Sequence, residues 1–275
     1  MENFSTVLGV LTLLFFALTP VAIVAYVRLS LRMRRDGGAV ETSGFVFADL
    51  LVAAVLAIFF SYFMVTSWPN PHAPQPPIKI DQVLPGELFL VAIAAGVGGF
   101  ILYRGGNLLT LFGLTRISAA RVGSLAFLFV LGGLPVVWLT NLMTSQLLHE
   151  VGGEQQLVLL FREEAKKGHY NGVMTILVTG VILAPCVEEF LFRGFFYGVM
   201  KRYFGAIAAG VCSALLFAAF HTNLASLPGL FVLALCLTVA YERSGSLFVP
   251  IVIHALFNLS NLALLYLQAV GVISP

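Results

Sequence analysis

The chain has 275 residues, of which 59% are hydrophobic and only 10% are charged, whereas ordinary globular domains carry about 25% charged residues. This composition excludes a water-soluble protein and predicts an all-α, polytopic bundle of helices embedded in a lipid bilayer. The net charge of +2 is too small to indicate a nucleic-acid partner. The three cysteines have no metal-ligand spacing, so we interpret them as small apolar residues.

Apolar runs of about 20 residues, the length that crosses a bilayer, recur along the whole chain. Eight spans are predicted, at residues 5–27, 46–67, 84–103, 122–147, 172–199, 205–221, 227–241 and 247–270. The seventh of them is the shortest and the least certain. Basic residues follow every second span, and basic loops remain in the cytoplasm. Both termini are therefore predicted on the extracytoplasmic side of a bacterial inner membrane. No basic residue precedes the first span, so we expect it to be retained rather than cleaved.

Two connections between the spans have distinct compositions. Residues 68–81 contain five prolines, which favour a stiff, extended connection outside the membrane. Residues 151–171 combine charged residues with apolar residues at helical spacing, which predicts an amphipathic connector helix on the membrane surface. A lid or a substrate-guiding element is the alternative for this segment. We expect one structural domain, with four spans in residues 1–150, the connector in 151–171 and a core with the polar residues in 172–275.

Charged residues stand out in the fifth span, within the sequence A-P-C-V-E-E-F-L-F-R-G. Each charge at membrane depth costs about 2.5 to 3.5 kcal/mol, so such residues are paired, near water or functional. Residues four apart share a helix face, which predicts an ion pair between Glu189 and Arg193. Glu188 has no partner in its own helix and must face another helix or water. Pro185 is expected to bend the helix at this point, and the opening is expected to admit water to Glu188.

Further polar residues occur in two other spans of the second half. The sixth span ends in F-A-A-F-H, which places Phe217 and His221 on one helix face. The eighth span contains H-A-L-F-N, which places His254 and Asn258 on one face. The first four spans carry almost no polar side chains beyond small residues, so chemistry is expected only in the second half. A single buried histidine is usually structural, but two in separate helices favour a shared site.

These residue types suit the hydrolysis of an amide bond. A glutamate beside a histidine can deprotonate a water molecule, and an imidazole with an asparagine amide can stabilise an oxyanion. The sequence contains no G-x-S-x-G elbow and no H-E-x-x-H motif, which argues against the commoner protease chemistries. On these residues alone, a structural ion-pair cluster or an ion-translocation site remains an alternative.

The three motifs E-E-F-L-F-R, F-A-A-F-H and H-A-L-F-N resemble the E-E-x-x-x-R, F-x-x-x-H and H-x-x-x-N motifs of the CPBP family. This family comprises CAAX proteases and bacteriocin-processing enzymes and includes the type II CAAX prenyl endopeptidases. The resemblance covers residues 172–270 and implies a glutamate-dependent intramembrane endopeptidase that acts on a peptide or protein substrate at the membrane. It implies that Glu188 and His221 activate water and that His254 and Asn258 form the oxyanion site. Glu189 and Arg193 would support them.

The resemblance leaves the cofactor and part of the function open. We expect no cofactor; the alternative is a catalytic zinc ion bound by Glu188, His221 and His254. The alternatives to a protease are a non-enzymatic bacteriocin-immunity or scaffold protein of the same family and an ion-coupled transporter. A transporter would need a pathway across the whole membrane, whereas a protease needs a cavity open to one side.

Overall fold

The computed structural model describes residue 13 and residues 17–68, 77–147 and 155–273. This part of the chain contains helices and no strand, which confirms the predicted all-α fold. The helices are α1 (Thr19–Asp36), α2 (Phe47–Ser67), α3 (Ile80–Tyr103), α4 (Leu108–Leu111), α5 (Ala119–Leu147), α6 (Gln156–Lys167), α7 (Tyr170–Phe204), α8 (Ala206–Phe220), α9 (Leu227–Ser244) and α10 (Phe248–Ala269).

Six of the helices in the described ranges are long and apolar enough to cross a membrane, namely α2, α3, α5, α7, α9 and α10. The chain is therefore an integral, multi-pass membrane protein. The sixth predicted span, 205–221, forms the apolar helix α8 of 15 residues, which is shorter than the about 20 residues of a full crossing. The seventh, predicted to be the shortest, is α9 with 18 residues. Residues 5–12 and 14–16 of the first predicted span, 5–27, lie outside the described residues, and its last part is the start of α1.

The structure describes the proline-rich connection, residues 68–81, only at its two ends. Helix α3 begins at Ile80, so the last two residues of the predicted extended connection 68–81 are helical. Asp81 lies in the first turn, where a negative charge interacts favourably with the helix dipole. The backbone N–H of Lys79 donates to the side chain of Gln82 at 2.9 Å and fixes this start. Residues 69–76 lie outside the described part of the chain.

The connector between the fourth and fifth spans contains helix α6, as its periodicity predicts. Leu160, Phe161 and Ala165 are buried on one face, and α6 packs against α7 and α10. The opposite face carries an exposed ion pair between Lys167 and Glu163. The hydrogen bond from Lys167 lowers the pKa of the Glu163 carboxyl. The apolar face of α6 therefore packs on α7 and α10, the two helices that carry most of the polar motif residues.

Helices α7 and α9 form the centre of the bundle. Inside their most apolar windows 50% and 61% of the residues are buried, against 17% to 28% for the other four long helices. Phenylalanines of α7 pack against α2 and α8, with the rings of Phe192 and Phe60 at 6.2 Å and those of Phe192 and Phe217 at 5.3 Å. Between helices in a bilayer, van der Waals packing of this kind favours association, and aromatic pairs add to it. The acidic motif on α7 is therefore enclosed by other helices.

A buried carboxylate fastens the end of α7 to α9. The side chain of Glu242 is 0% exposed and accepts hydrogen bonds of 2.6 Å from the Tyr197 hydroxyl and from Nζ of Lys201. The backbone N–H of Val40 donates to the same carboxylate at 3.3 Å. A buried charge is tolerated when it is paired and hydrogen-bonded. This network fixes the part of α7 that follows the acidic motif.

Candidate active site

Helix α7 changes its backbone hydrogen bonding twice around the acidic motif. It is π-helical at Thr179–Leu183 and again at Phe190–Tyr197, and α-helical at Ala184–Glu189 between them. Pro185 stands at the start of the α-helical turn, directly after the first π-helical stretch. The backbone hydrogen bonding of α7 therefore changes next to Pro185, while the bend of the helix and the admission of water to Glu188 stay predictions. π-Helical turns inside α-helices occur frequently at functional sites.

The predicted ion pair between Glu189 and Arg193 is present. Nη1 of Arg193 lies 2.7 Å from Oε1 of Glu189, and the two side chains are 1% and 0% exposed. The guanidinium carbon also lies 4.2 Å from the centre of the Phe217 ring on α8, a distance at which cations are attracted to an aromatic face. The charge of Arg193 is therefore compensated inside the bundle by an acid and by an aromatic ring.

His254 of α10 contacts both glutamates of the motif. Its Nδ1–H donates to Oε1 of Glu189 at 3.0 Å. Its Nε2 lies 4.0 Å from Oε2 of Glu188, which is too long for a hydrogen bond but short enough for one water molecule to bridge. Among the described residues, Oε2 of Glu188 is buried and has no hydrogen-bond partner. Glu188 therefore faces another helix, as its unpaired position in α7 requires.

His221 lies directly after α8, next to Phe217. Its Nδ1–H donates to the Phe217 carbonyl at 2.9 Å, so a neutral imidazole keeps Nε2 as an acceptor. The centre of the Phe217 ring is 4.9 Å from that of His221 and 5.7 Å from that of His254. Thr222, the next residue, has a φ of 47°, a strained conformation that is often found at functional sites. The Phe217 ring thus lies next to Arg193, His221 and His254, one polar residue from each of the three motifs.

Asn258 lies one turn after His254 on α10 and bonds to the backbone of α7. Its Nδ2 donates to the carbonyl oxygen of Gly180 at 2.7 Å. A side-chain amide has two N–H donors, so one is used by this carbonyl and the second remains for another acceptor.

The alternative zinc ligands do not form a metal site in this arrangement. Within residues 17–68, 77–147 and 155–273, no three His, Cys, Asp or Glu side chains come together as a group that could hold a metal ion. Nδ1 of His221 and Nδ1 of His254 are both engaged in hydrogen bonds. These hydrogen bonds fix the orientation of the two imidazole rings.

The first half of the chain contributes one acid that the sequence interpretation overlooked. Glu87 lies on α3, which packs against α7, and it is within electrostatic range of Glu188. Its Oε1 is buried and has no hydrogen-bond partner among the described residues. The signal was available, since Glu87 is an acid inside the third predicted span, directly after a proline and a glycine. One acid of the first half therefore lies near the polar residues of the second half, while the expectation that the chemistry is confined to the second half stays a prediction.

An apolar groove of about 300 Å³ lies between α7 and α10. It is lined by Val181, Ile182 and Cys186 of α7 and by five apolar residues of α10 between Ile251 and Leu259. The polar residues of the three motifs are not among those that line the groove, although the groove lies between the two helices that carry Glu188 and His254.

Comparison with known proteins places a family match on the same helices. Residues 170–260 match the model of the Rce1-like type II CAAX prenyl endopeptidases, which confirms the resemblance inferred from the three motifs. The chain is also similar to an uncharacterized 24.3 kDa protein of Escherichia coli, with 41% identity over 87 residues, or 30% of this chain and 40% of that protein. The matched part thus spans less than half of that relative. No solved structure matches the chain.

Proposed function

We propose that this chain is an intramembrane endopeptidase in which Glu188 and His221 activate the water that attacks a peptide bond. The match of residues 170–260 supports a CAAX-type intramembrane endopeptidase in general. The observation that carries the role of Glu188 is the 4.0 Å gap between its Oε2 and Nε2 of His254, and the Phe217 ring next to both histidines supports the assignment of His221 to the same cluster. Such a gap between two buried polar groups suits a bound water molecule.

Glu188 acts as the general base. It takes a proton from the water molecule while the water oxygen forms a bond to the carbonyl carbon, and the carbonyl oxygen becomes an oxyanion. His221, whose Nδ1–H is held by the Phe217 carbonyl, has Nε2 available to accept a hydrogen bond from the same water. The C–N bond then breaks, and the proton passes from Glu188 to the leaving amine.

His254 and Asn258 stabilise the oxyanion. Since Nδ1–H of His254 is used by Glu189, donation from Nε2 requires the imidazolium form of this residue. Asn258 has a second amide hydrogen beyond the one given to Gly180. Glu189 and Arg193 hold His254 in position through their buried contacts. Donors fixed in advance around a developing charge are usually the largest contribution to catalysis of this kind.

The substrate is a peptide that is associated with the membrane, and a prenylated peptide is the form that we propose. The groove between α7 and α10 is lined by apolar residues, which suit van der Waals contact with the prenyl chain of a lipid-modified cysteine. The same two helices carry Glu188 and His254. We further propose that the reaction takes place at the cytoplasmic face of a bacterial inner membrane.

The proposal is tested with the full chain reconstituted in liposomes. Two C-a-a-X peptides of the same sequence, one farnesylated and one unmodified, are incubated with the protein, and products are identified by mass spectrometry. We expect Glu188→Gln and His221→Ala each to lower kcat by roughly 10² to 10⁴-fold, the usual contribution of general acid–base catalysis. Glu163→Gln, on the exposed face of α6, is the matched control and should keep full activity.

The outcomes separate the proposal from its alternatives. Cleavage that persists in Glu188→Gln would refute the assigned base. No cleavage of either peptide by the wild-type chain, together with proton or ion flux across the liposome membrane that requires Glu188, would favour a transporter. Absence of both activities would favour an immunity or scaffold protein. Equal kcat/KM for both peptides would refute the prenyl part of the proposal alone.

A further inference from the structure

Pro185 leaves one carbonyl of α7 without a hydrogen bond from its own helix. In the π-helical stretch Thr179–Leu183 an N–H group donates to the carbonyl five residues earlier, and the N–H of Ala184 accordingly donates to the carbonyl of Thr179. The next donor in this pattern would be residue 185, which would reach Gly180. Proline has no backbone N–H, so the carbonyl of Gly180 lacks this bond.

Asn258 supplies the missing hydrogen bond from a different helix. Its Nδ2 donates to the Gly180 carbonyl at 2.7 Å, across 78 residues of sequence. Within a bilayer, backbone groups freed by a proline are tolerated where a neighbouring helix satisfies them. The asparagine amide therefore takes the place of the backbone N–H that is absent from Pro185.

The same bond fixes α7 against α10 close to the polar cluster. His254 lies one turn before Asn258 on α10 and contacts Glu189 at 3.0 Å and Glu188 at 4.0 Å. The two helices are thus joined at two levels, by a side chain to a backbone carbonyl and by a side chain to the acidic turn. The position of the acidic turn relative to His254 depends on both.

We propose that Asn258 is a positioning residue for Glu188, because its amide fixes the turn that Pro185 leaves without a backbone hydrogen bond. The proposal rests on the function assigned above to Glu188 as the general base. It differs from a role of Asn258 in oxyanion binding alone, which would be independent of the residue at position 185. The two roles therefore make different predictions when Pro185 is replaced.

The test is a double-mutant cycle between Asn258→Ala and Pro185→Ala in the full chain. Alanine at position 185 restores an N–H that can reach the Gly180 carbonyl. In the presence of Pro185, we expect Asn258→Ala to lower kcat by about 10²-fold with little change in KM, since displacement of a catalytic group by about 1 Å costs that much. In the Pro185→Ala background, the same substitution should lower kcat by a clearly smaller factor relative to Pro185→Ala alone, because only the contribution of Asn258 to the oxyanion site is then lost.

The chain offers a matched control on the same helix. Asn261 of α10 accepts a hydrogen bond of 3.2 Å from Nε1 of Trp138 on α5 and has no connection to the Gly180 carbonyl. Asn261→Ala should have the same effect on kcat and on stability in both backgrounds. An effect of Asn258→Ala that is also equal in both backgrounds would overturn the proposal and assign Asn258 to oxyanion binding alone.

Stability gives a measurement that does not need activity. Asn258→Ala should lower the midpoint of unfolding in mixed detergent micelles when Pro185 is present and leave it nearly unchanged in Pro185→Ala. An equal effect of Asn258→Ala on the unfolding midpoint in both backgrounds would overturn the inferred role of this hydrogen bond. A difference in stability without recovery of kcat would overturn the positioning role. If the wild-type chain shows the difference in stability but cleaves no peptide, the proposed function fails while the bond between Asn258 and Gly180 is supported.

Discussion

Substitution of Arg193 by methionine tests the buried ion pair on which the polar cluster depends. Arg193 is 1% exposed and is held 2.7 Å from Glu189 and 4.2 Å from the Phe217 ring. Arg193→Met removes the cation but leaves Glu189, which is 0% exposed, as a buried carboxylate with only His254 to compensate it. Removal of one partner of a buried pair typically costs about 3 to 5 kcal/mol.

The assay is equilibrium unfolding of the full chain in mixed micelles of a mild detergent and sodium dodecyl sulfate. We expect Arg193→Met to lower the free energy of unfolding by about 3 to 5 kcal/mol. The double variant Glu189→Gln with Arg193→Met removes both charges and keeps an acceptor for Nδ1 of His254. It should be more stable than Arg193→Met by about 1 to 3 kcal/mol, the cost of a buried group without its partner.

The exposed ion pair between Lys167 and Glu163 on α6 serves as the control for the buried pair. Lys167→Met removes the cation from an i,i+4 pair with Glu163 and should change the free energy of unfolding far less than Arg193→Met does, because solvent screens such pairs. A double variant no more stable than Arg193→Met would refute the argument that the unpaired carboxylate causes the loss. An effect of Lys167→Met on the free energy of unfolding as large as that of Arg193→Met would refute the same argument.

Two further predictions concern stability. Glu87→Gln removes a carboxylate that has a buried oxygen without a hydrogen-bond partner near Glu188. We expect it to raise the unfolding temperature by roughly 2 to 4 °C, which corresponds to about 1 kcal/mol in a chain of this size. A decrease measured by differential scanning fluorimetry would show that the carboxylate of Glu87 is stabilised by hydrogen bonds in the fold. Gly113→Ala should lower the free energy of unfolding by more than about 2 kcal/mol, because φ is +60° and the new Cβ would lie 1.8 Å from the carbonyl oxygen of Gly245. Gly105 also has a positive φ, of +82°, but no atom within 4 Å of an added Cβ, so Gly105→Ala should cost only about 1 kcal/mol, and equal losses in the two variants would argue against the close contact.

Hydropathy predicted the architecture because the bilayer imposes it locally. A segment that crosses the hydrocarbon core must be helical and apolar over about 20 residues, and this property is visible in the sequence without knowledge of the neighbours. Helix α8 departs from the prediction in length, since it has 15 residues and ends at Phe220. The orientation of the termini and the surface location of α6 stay predictions, because the helices themselves do not define the position of the bilayer.

In the candidate site, the contact within one helix could be predicted from the sequence, whereas the contacts between helices could not. The pair of Glu189 and Arg193 follows from a spacing of four residues in one helix, and the structure confirms it. The partner of Glu188 did not follow, because the contact with His254 depends on how α7 and α10 pack against each other. Glu87 was overlooked for the same reason, since its proximity to Glu188 arises from the packing of α3 on α7.

The sequence by itself determined the membrane-embedded helices, the residues of the three motifs and the ion pair within α7, since each is a property of one continuous segment. Only the tertiary structure decided that Nδ1 of His254 is bound by Glu189 and that Asn258 bonds to the carbonyl of Gly180. Residues in different helices have no fixed spacing along the chain, and their contacts are set by side-chain packing over the whole bundle. The backbone carbonyl that Pro185 leaves without a hydrogen bond is visible in the sequence only as a missing donor, whereas the amide that replaces it comes from the last helix of the described chain.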